Sequence, residues 1–133
     1  MSAHTKSKIL VVDDDPSVLQ LVVKILEREG YAVYAAPSGQ SALEICEEFK
    51  NQIALVVSDV DMPAMSGIQL ADCLSEFEKP VPIILMSGFS PENPLLERPL
   101  KSGRLSGYQF IHKPFVIKDL TLLVSTALDS HSN

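Results

Sequence analysis

KILVVDDDP, residues 8–16, and IALVVSDVDMPAMSG, residues 53–67, decide how this chain folds. Each begins as an apolar run of strand length and ends in carboxylates. The first ends in Asp13, Asp14 and Asp15, the second in Asp59 with Asp61 two positions on. Ile53 to Ser58 is nearly all apolar, as a strand covered on both faces of a parallel sheet should be. Two such strands stopping in acid predict a cluster of negative charge at one edge of that sheet. Like charges at close range take up protons or attract a cation. Oxygen ligands with no Cys or His beside them favour a hard ion, Mg²⁺ above all, and phosphate chemistry with it.

Outward from these runs, apolar strands alternate with helix-period segments. Ile9 to Val12 is the first strand, and Asp15-Pro16 opens a helix with Asp15 as N-cap and Pro16 at the first helical position. Val18, Leu21, Val22, Ile25 and Leu26 form its apolar stripe, and Gly30 ends it. Tyr31 to Ala36 is the second strand. Ser38 caps a helix whose inner face is Ala42, Ile45, Cys46 and Phe49. After the third strand, Ser66-Gly67 opens a helix with Leu70, Leu74 and Phe77 inward. Val81 to Met86 and Tyr108 to His112 are strands four and five. Leu120, Leu123, Val124, Ala127 and Leu128 line a last helix.

Strands separated by helices are parallel with right-handed crossovers, and open sheets of this kind bind ligands beyond the carboxyl ends of their strands. Asp13, Asp14, Asp59, Ser87 and Lys113 all fall at or just after strand ends, so the pattern collects them on one edge. Between Ser90 and Gly107 the expected fourth helix is interrupted by Pro91, Pro94 and Pro99, which predicts a short or irregular segment.

The 133 residues suit one domain, with 46% hydrophobic and 21% charged residues. A net charge of −6 argues against a nucleic-acid surface, and no apolar run approaches membrane-span length. Residues 1–7 are polar, read as a flexible tail, and contain no apolar signal-peptide core. Cys46 and Cys73 form no CxxC motif and read as packed thiols, in keeping with a reducing cytoplasm.

The acidic pair in VVDDDP, the aspartate in SDVDMPAMSG, the hydroxyl in PIILMSG and the lysine in FIHKPF together resemble the receiver domain of two-component response regulators, of the chemotaxis-regulator kind. The likeness runs from about Lys8 to Leu128. It implies a flavodoxin-like α/β fold: a doubly wound five-stranded parallel sheet in the order 2-1-3-4-5, with helices on both faces. The receiver would occupy residues 8–129, and residues 130–133 would be a C-terminal tail.

The resemblance also implies roles. Asp59 would accept a phosphoryl group from a histidine kinase or phosphotransfer protein. Asp13, Asp14, Asp59 and the backbone carbonyl of Asp61 would hold Mg²⁺, with Mn²⁺ able to substitute. Lys113 and Ser87 would contact the phosphoryl oxygens, and Phe110 would occupy the place of an aromatic switch residue. Asp61 and Phe89 would tune the slow loss of the phosphoryl group to water. The Lys113–Pro114 bond is expected to be cis.

Two residue-level readings stay apart from these roles: Asp15 belongs to the helix cap and His112 to the surface. The downstream partner would be another protein, with no direct nucleic-acid or membrane binding. The short tail after Leu128 leaves a stand-alone receiver or one cut from a longer protein, such as a hybrid kinase. Two rival classes share parts of the pattern. A pseudo-receiver would keep the fold as an interaction module without phosphorylation. A haloacid-dehalogenase-like phosphatase would use Asp59-Val60-Asp61 as its DxD, although that motif usually opens the first strand and here follows an acidic pair.

Overall fold

Parallel strands cannot be joined by tight turns, so each needs a crossover, and here helices supply them. The computed structural model describes residues 7–49, 52–87 and 109–131. Strands β1 (Lys8–Val12), β2 (Ala32–Ala36), β3 (Ile53–Asp59), β4 (Ile83–Ser87) and β5 (Gln109–His112) form one sheet in the order β2-β1-β3-β4-β5. All four pairings are parallel. Helices α1 (Pro16–Arg28), α2 (Gly39–Glu48), α3 (Gly67–Ser75) and α4 (Ile117–His131) pack around it. This is the flavodoxin-like doubly wound arrangement, with the order reversing between β1 and β3.

Strand alternation divides the core into two apolar layers. Leu10, Val12, Val56 and Leu85 face one way, toward Ala42 and Cys46 of α2 and Leu70 and Leu74 of α3. Ile9, Val11, Leu55, Val57, Ile84 and Met86 face the other, toward Val22, Ile25 and Leu26 of α1 and Leu120, Val124 and Leu128 of α4. Each fully buried Leu or Ile of this kind stabilises the fold by about 1.5–3 kcal/mol. Tyr34 and Phe49 close the β2 side of the first layer, their rings stacked with centroids 5.1 Å apart.

The helix starts follow from local chemistry. Asp15 accepts a hydrogen bond from the Ser17 N–H at 2.9 Å, with Pro16 behind it, and Ser38 accepts from the Ser41 N–H at 3.1 Å. Ser66 goes further than its sequence reading. Its hydroxyl accepts from the Gln69 N–H while the Gln69 side chain accepts from the Ser66 N–H, a reciprocal capping box. Gly30 follows α1 with φ 97°, as expected of a residue ending a helix.

Several expectations need correction. Leu21, placed in the buried stripe of α1, is 52% exposed. The buried face is centred on Val22, with Ile25 and Leu26, and Leu21 stands about 100° round the helix from Val22. β4 begins at Ile83 rather than Val81, because Pro82 has no N–H to offer the ladder, although its carbonyl accepts from Val56. β3 continues through Asp59, one residue past the expected end. The irregular segment expected after β4, and Phe89 with it, lie outside the described residues. Among the described residues no helix is long and apolar enough to cross a membrane.

Burial of Cys46 pushes its thiol from an ordinary 9.0 up to about 11. A raised folded value means that the thiol favours the fold below the unfolded pKa and loses that contribution as pH climbs through the folded one. Stability should therefore fall as pH rises from 9 to 11, and the fall should shrink in Cys46→Ala. At pH 8 an alkylating reagent should leave Cys46 unmodified until denaturant opens the domain, as mapped by peptide mass.

Candidate functional site

The site begins with a register. Val12 of β1 stands opposite Ser58 of β3, so the next residues, Asp13 just past β1 and Asp59 at the end of β3, bring their carboxylates to the same edge. Asp13 is held at both ends. Its N–H donates to the Ala36 carbonyl at 3.2 Å, and its Oδ1 accepts from the Asp15 N–H at 2.9 Å. Both carboxylates are removed from water, Asp13 being 1% exposed and Asp59 6%.

One cation holds the two together. The Lys113 Nζ donates to Asp13 Oδ2 and to Asp59 Oδ1, each at 3.0 Å. Lys113 follows β5, two strands away from β3, so its long side chain reaches across the end of β4. Its backbone N–H is tied to that strand, donating to the Ser87 carbonyl at 2.8 Å, and the Lys113–Pro114 bond is cis as expected. Asp14 is exposed, yet it offers a carboxylate oxygen that lies within 4.8 Å of those of Asp13 and Asp59. Asp61 is exposed on the loop after β3.

The charges do not balance within this cluster, and the proton affinities register it. Burial is the largest influence on Asp59 and raises its pKa. Asp13 and Asp61 add to the rise, and together these outweigh the opposing hydrogen bond and charge of Lys113. For Lys113, burial alone would lower the pKa, but its bonds to Asp59 and Asp13 prevail and hold it above the usual lysine value. A buried, charge-poor anion beside a fixed ammonium is a setting that further positive charge stabilises. The oxygen-only donor set suits a small hard cation.

Ser87, the last residue of β4, is 1% exposed, and its hydroxyl has no hydrogen-bond partner among the described residues. A buried polar atom left unpaired is costly, so an acceptor arriving there would be welcome. Phe110 is half-buried on β5 against the α2–α3 core layer, and His112 is exposed. Asp15 keeps to its helix cap. The structure thus assembles Asp13, Asp14, Asp59 and Lys113, with Ser87 at the same sheet edge.

Two supports were missed in the sequence. Ser58 Oγ donates to the Asp59 carbonyl at 3.0 Å. Gly67 lies so close behind Asp59 that a Cβ there would collide with the Asp59 carbonyl oxygen and stand 3.0 Å from the Val60 Cα. Its N–H donates to the Val60 carbonyl at 2.9 Å. The Ser-Gly pair was legible as a helix opening, whereas the close approach depends on where that helix returns.

The model of the response regulator receiver domain matches residues 9–125. This chain belongs to that family. As a receiver domain of two-component systems, it is 36% identical over 121 residues to the sensor kinase CckA of Brucella abortus, covering 91% of this chain and 12% of the kinase. It is 35% identical over 127 residues to the transcriptional regulatory protein SrrA of Staphylococcus aureus, covering 92% of this chain and 48% of that protein. The receiver domain therefore spans less than half the length of either relative. Among solved structures, a receiver domain protein from Clostridium thermocellum superposes with a TM-score of 0.81 at 27% identity, covering 93% of this chain and 95% of that one. The receiver domain of the hybrid histidine kinase CckA gives a TM-score of 0.75 at 30% identity, covering 92% and 99%.

Removing the shared ammonium should expose the repulsion that it restrains. Lys113→Met is expected to cost about 2–4 kcal/mol in denaturant unfolding at pH 7, since two buried carboxylates lose the ammonium they share. Adding Asp59→Asn to that variant should recover much of the loss. An additive double variant would refute the coupling.

Proposed function

We propose that this receiver domain is a phosphorylation-activated switch that takes a phosphoryl group onto Asp59 from the phosphohistidine of a histidine kinase or phosphotransfer protein. The observation that carries the reading is the buried Asp13–Lys113–Asp59 bridge, with Asp14 alongside at the carboxyl edge of the sheet. Asp13, Asp14, Asp59 and the backbone carbonyl of Asp61 would hold Mg²⁺. When bound, that ion neutralises the carboxylates and the oxygens of the transferring group.

The chain's own residues do the rest. An Asp59 carboxylate oxygen attacks phosphorus, the donor's P–N bond breaks, and the imidazole nitrogen keeps the electron pair. Lys113, already bonded to Asp59, places its ammonium where negative charge arrives on the phosphoryl oxygens. Ser87 gains in the phosphoryl oxygen the acceptor that its buried hydroxyl lacks. Phe110 then repacks along β5, and a partner protein reads the changed surface. Slow self-dephosphorylation is the reverse in kind: water attacks phosphorus, and the Asp59 carboxylate leaves as inorganic phosphate forms. Asp61 and Phe89 would flank that water. Such a switch works in the cytoplasm, where its donor proteins present phosphohistidine.

Incubation with Mg²⁺ and acetyl phosphate should add one phosphoryl group to the intact mass. The gain should vanish in Asp59→Asn and when the metal is chelated. An unmodified wild-type protein, or a gain that persists in Asp59→Asn, would sink the assignment.

Ser87→Ala offers a separate check. Without phosphate it should raise stability by about 1 kcal/mol, because an unpaired buried hydroxyl is removed. Once phosphorylated, the variant should show a smaller thermal shift than wild type. The opposite ordering would mean that Ser87 does not meet the phosphoryl group.

A further inference from the structure

The acceptor loop is closed at its base and reaches outward at its apex. Val60 is fully buried, its N–H donates to the Met86 carbonyl at 2.9 Å, and its own carbonyl accepts from Gly67. Between them the chain turns sharply. The Met65 N–H donates to the Pro63 carbonyl at 2.7 Å, and Ala64 takes a left-handed φ of 67°, which residues with a Cβ adopt reluctantly. The exposed Asp61 lies between Val60 and this turn.

Across from the apex stands Gly39, the buried first residue of α2. A Cβ at Gly39 would lie 2.8 Å from Met65 Sδ, 2.9 Å from its Cγ and 3.0 Å from its Cβ. The methionine therefore lies along the notch left by the missing side chain, packed on the core layer that holds Ala42 and Cys46. Because the contact reaches Met65 Cβ, rotating the thioether aside does not relieve all of it. α2 also contacts α3, so the two ends of this packing belong to one layer.

We infer that Met65 is a positioning residue for the acceptor site: seated in the Gly39 notch, it fixes the apex of the 60–66 loop and thereby the place of Asp61 beside Asp59. The inference rests on the metal reading of Asp61 only for its functional consequence. The placement itself is a matter of packing between α2 and the loop.

The test fills the notch and then removes the wedge. In Gly39→Ala, the backbone amide resonances of residues 61–66 should shift and the Mg²⁺ dissociation constant from calorimetry should rise roughly 10-fold, as when an outer support of a metal site is disturbed. Met65→Ala alone should also weaken Mg²⁺ binding, and Gly39→Ala/Met65→Ala should match Met65→Ala in both its amides and its constant, because without the thioether the added methyl meets nothing. If Gly39→Ala fails to fold while the double variant folds, the steric contact is likewise upheld. Unmoved amides at 61–66 in Gly39→Ala, or a double variant no closer to Met65→Ala than the single one, would overturn the proposal. A wild-type protein that binds no Mg²⁺ would defeat the metal reading instead, and the amide shifts would still decide the role of Met65.

Discussion

Everything at the business end of this domain depends on two carboxylates that repel each other and are kept from water. Asp13 and Asp59 are carried on adjacent central strands, and each is fixed by backbone ties a residue or so away. They cannot separate without breaking the β1–β3 ladder. The fold meets the repulsion with one ammonium from β5, shared at 3.0 Å between both partners. Burial first, and then the charges of Asp13 and Asp61, hold the Asp59 pKa above its ordinary value despite that ammonium. On the proposed reading, a site left short of positive charge in this way takes up a cation, and the phosphoryl group arrives with it.

The strand order explains why a lysine so distant in sequence performs this task. β4 lies between β3 and β5, and its last residue is the small Ser87. Its carbonyl anchors the lysine backbone at 2.8 Å. On the proposed reading its hydroxyl serves a second time, as a donor to the phosphoryl group.

How much of this was legible in the sequence depends on the range of the interaction. Helix starts are local, so Asp15, Ser38 and Ser66 could be read directly, although the reciprocal partner Gln69 was passed over. Strand ends were legible because apolar runs stop abruptly, which put Asp13, Asp14, Asp59, Ser87 and Lys113 on one edge. The width of a buried helix face was not: Leu21 fits the spacing rule, yet the sheet covers only the side around Val22. Lys113 could be expected to meet negative charge, but its bond to Asp13 as well as Asp59 needed the fold. Gly67 and Gly39 are the clearest failures of sequence reading. Each is small because of an atom that the chain delivers from elsewhere, the Asp59 carbonyl in one case and the Met65 side chain in the other.

The register of β4 and β5 links the edge to the rest of the domain. Leu85 pairs with Phe110 and Ser87 with His112, so Ser87 and Phe110 belong to rows that alternate onto the same face of the sheet. That face is the α2–α3 layer, where Leu85 and Phe110 pack together. Met86 and Ile111 belong to the opposite layer with α1 and α4. Close-packed layers respond to displacement by repacking rather than by yielding smoothly. On the proposed reading, a pull on Ser87 would therefore be felt first by Leu85 and Phe110, the residues that share its face of the sheet.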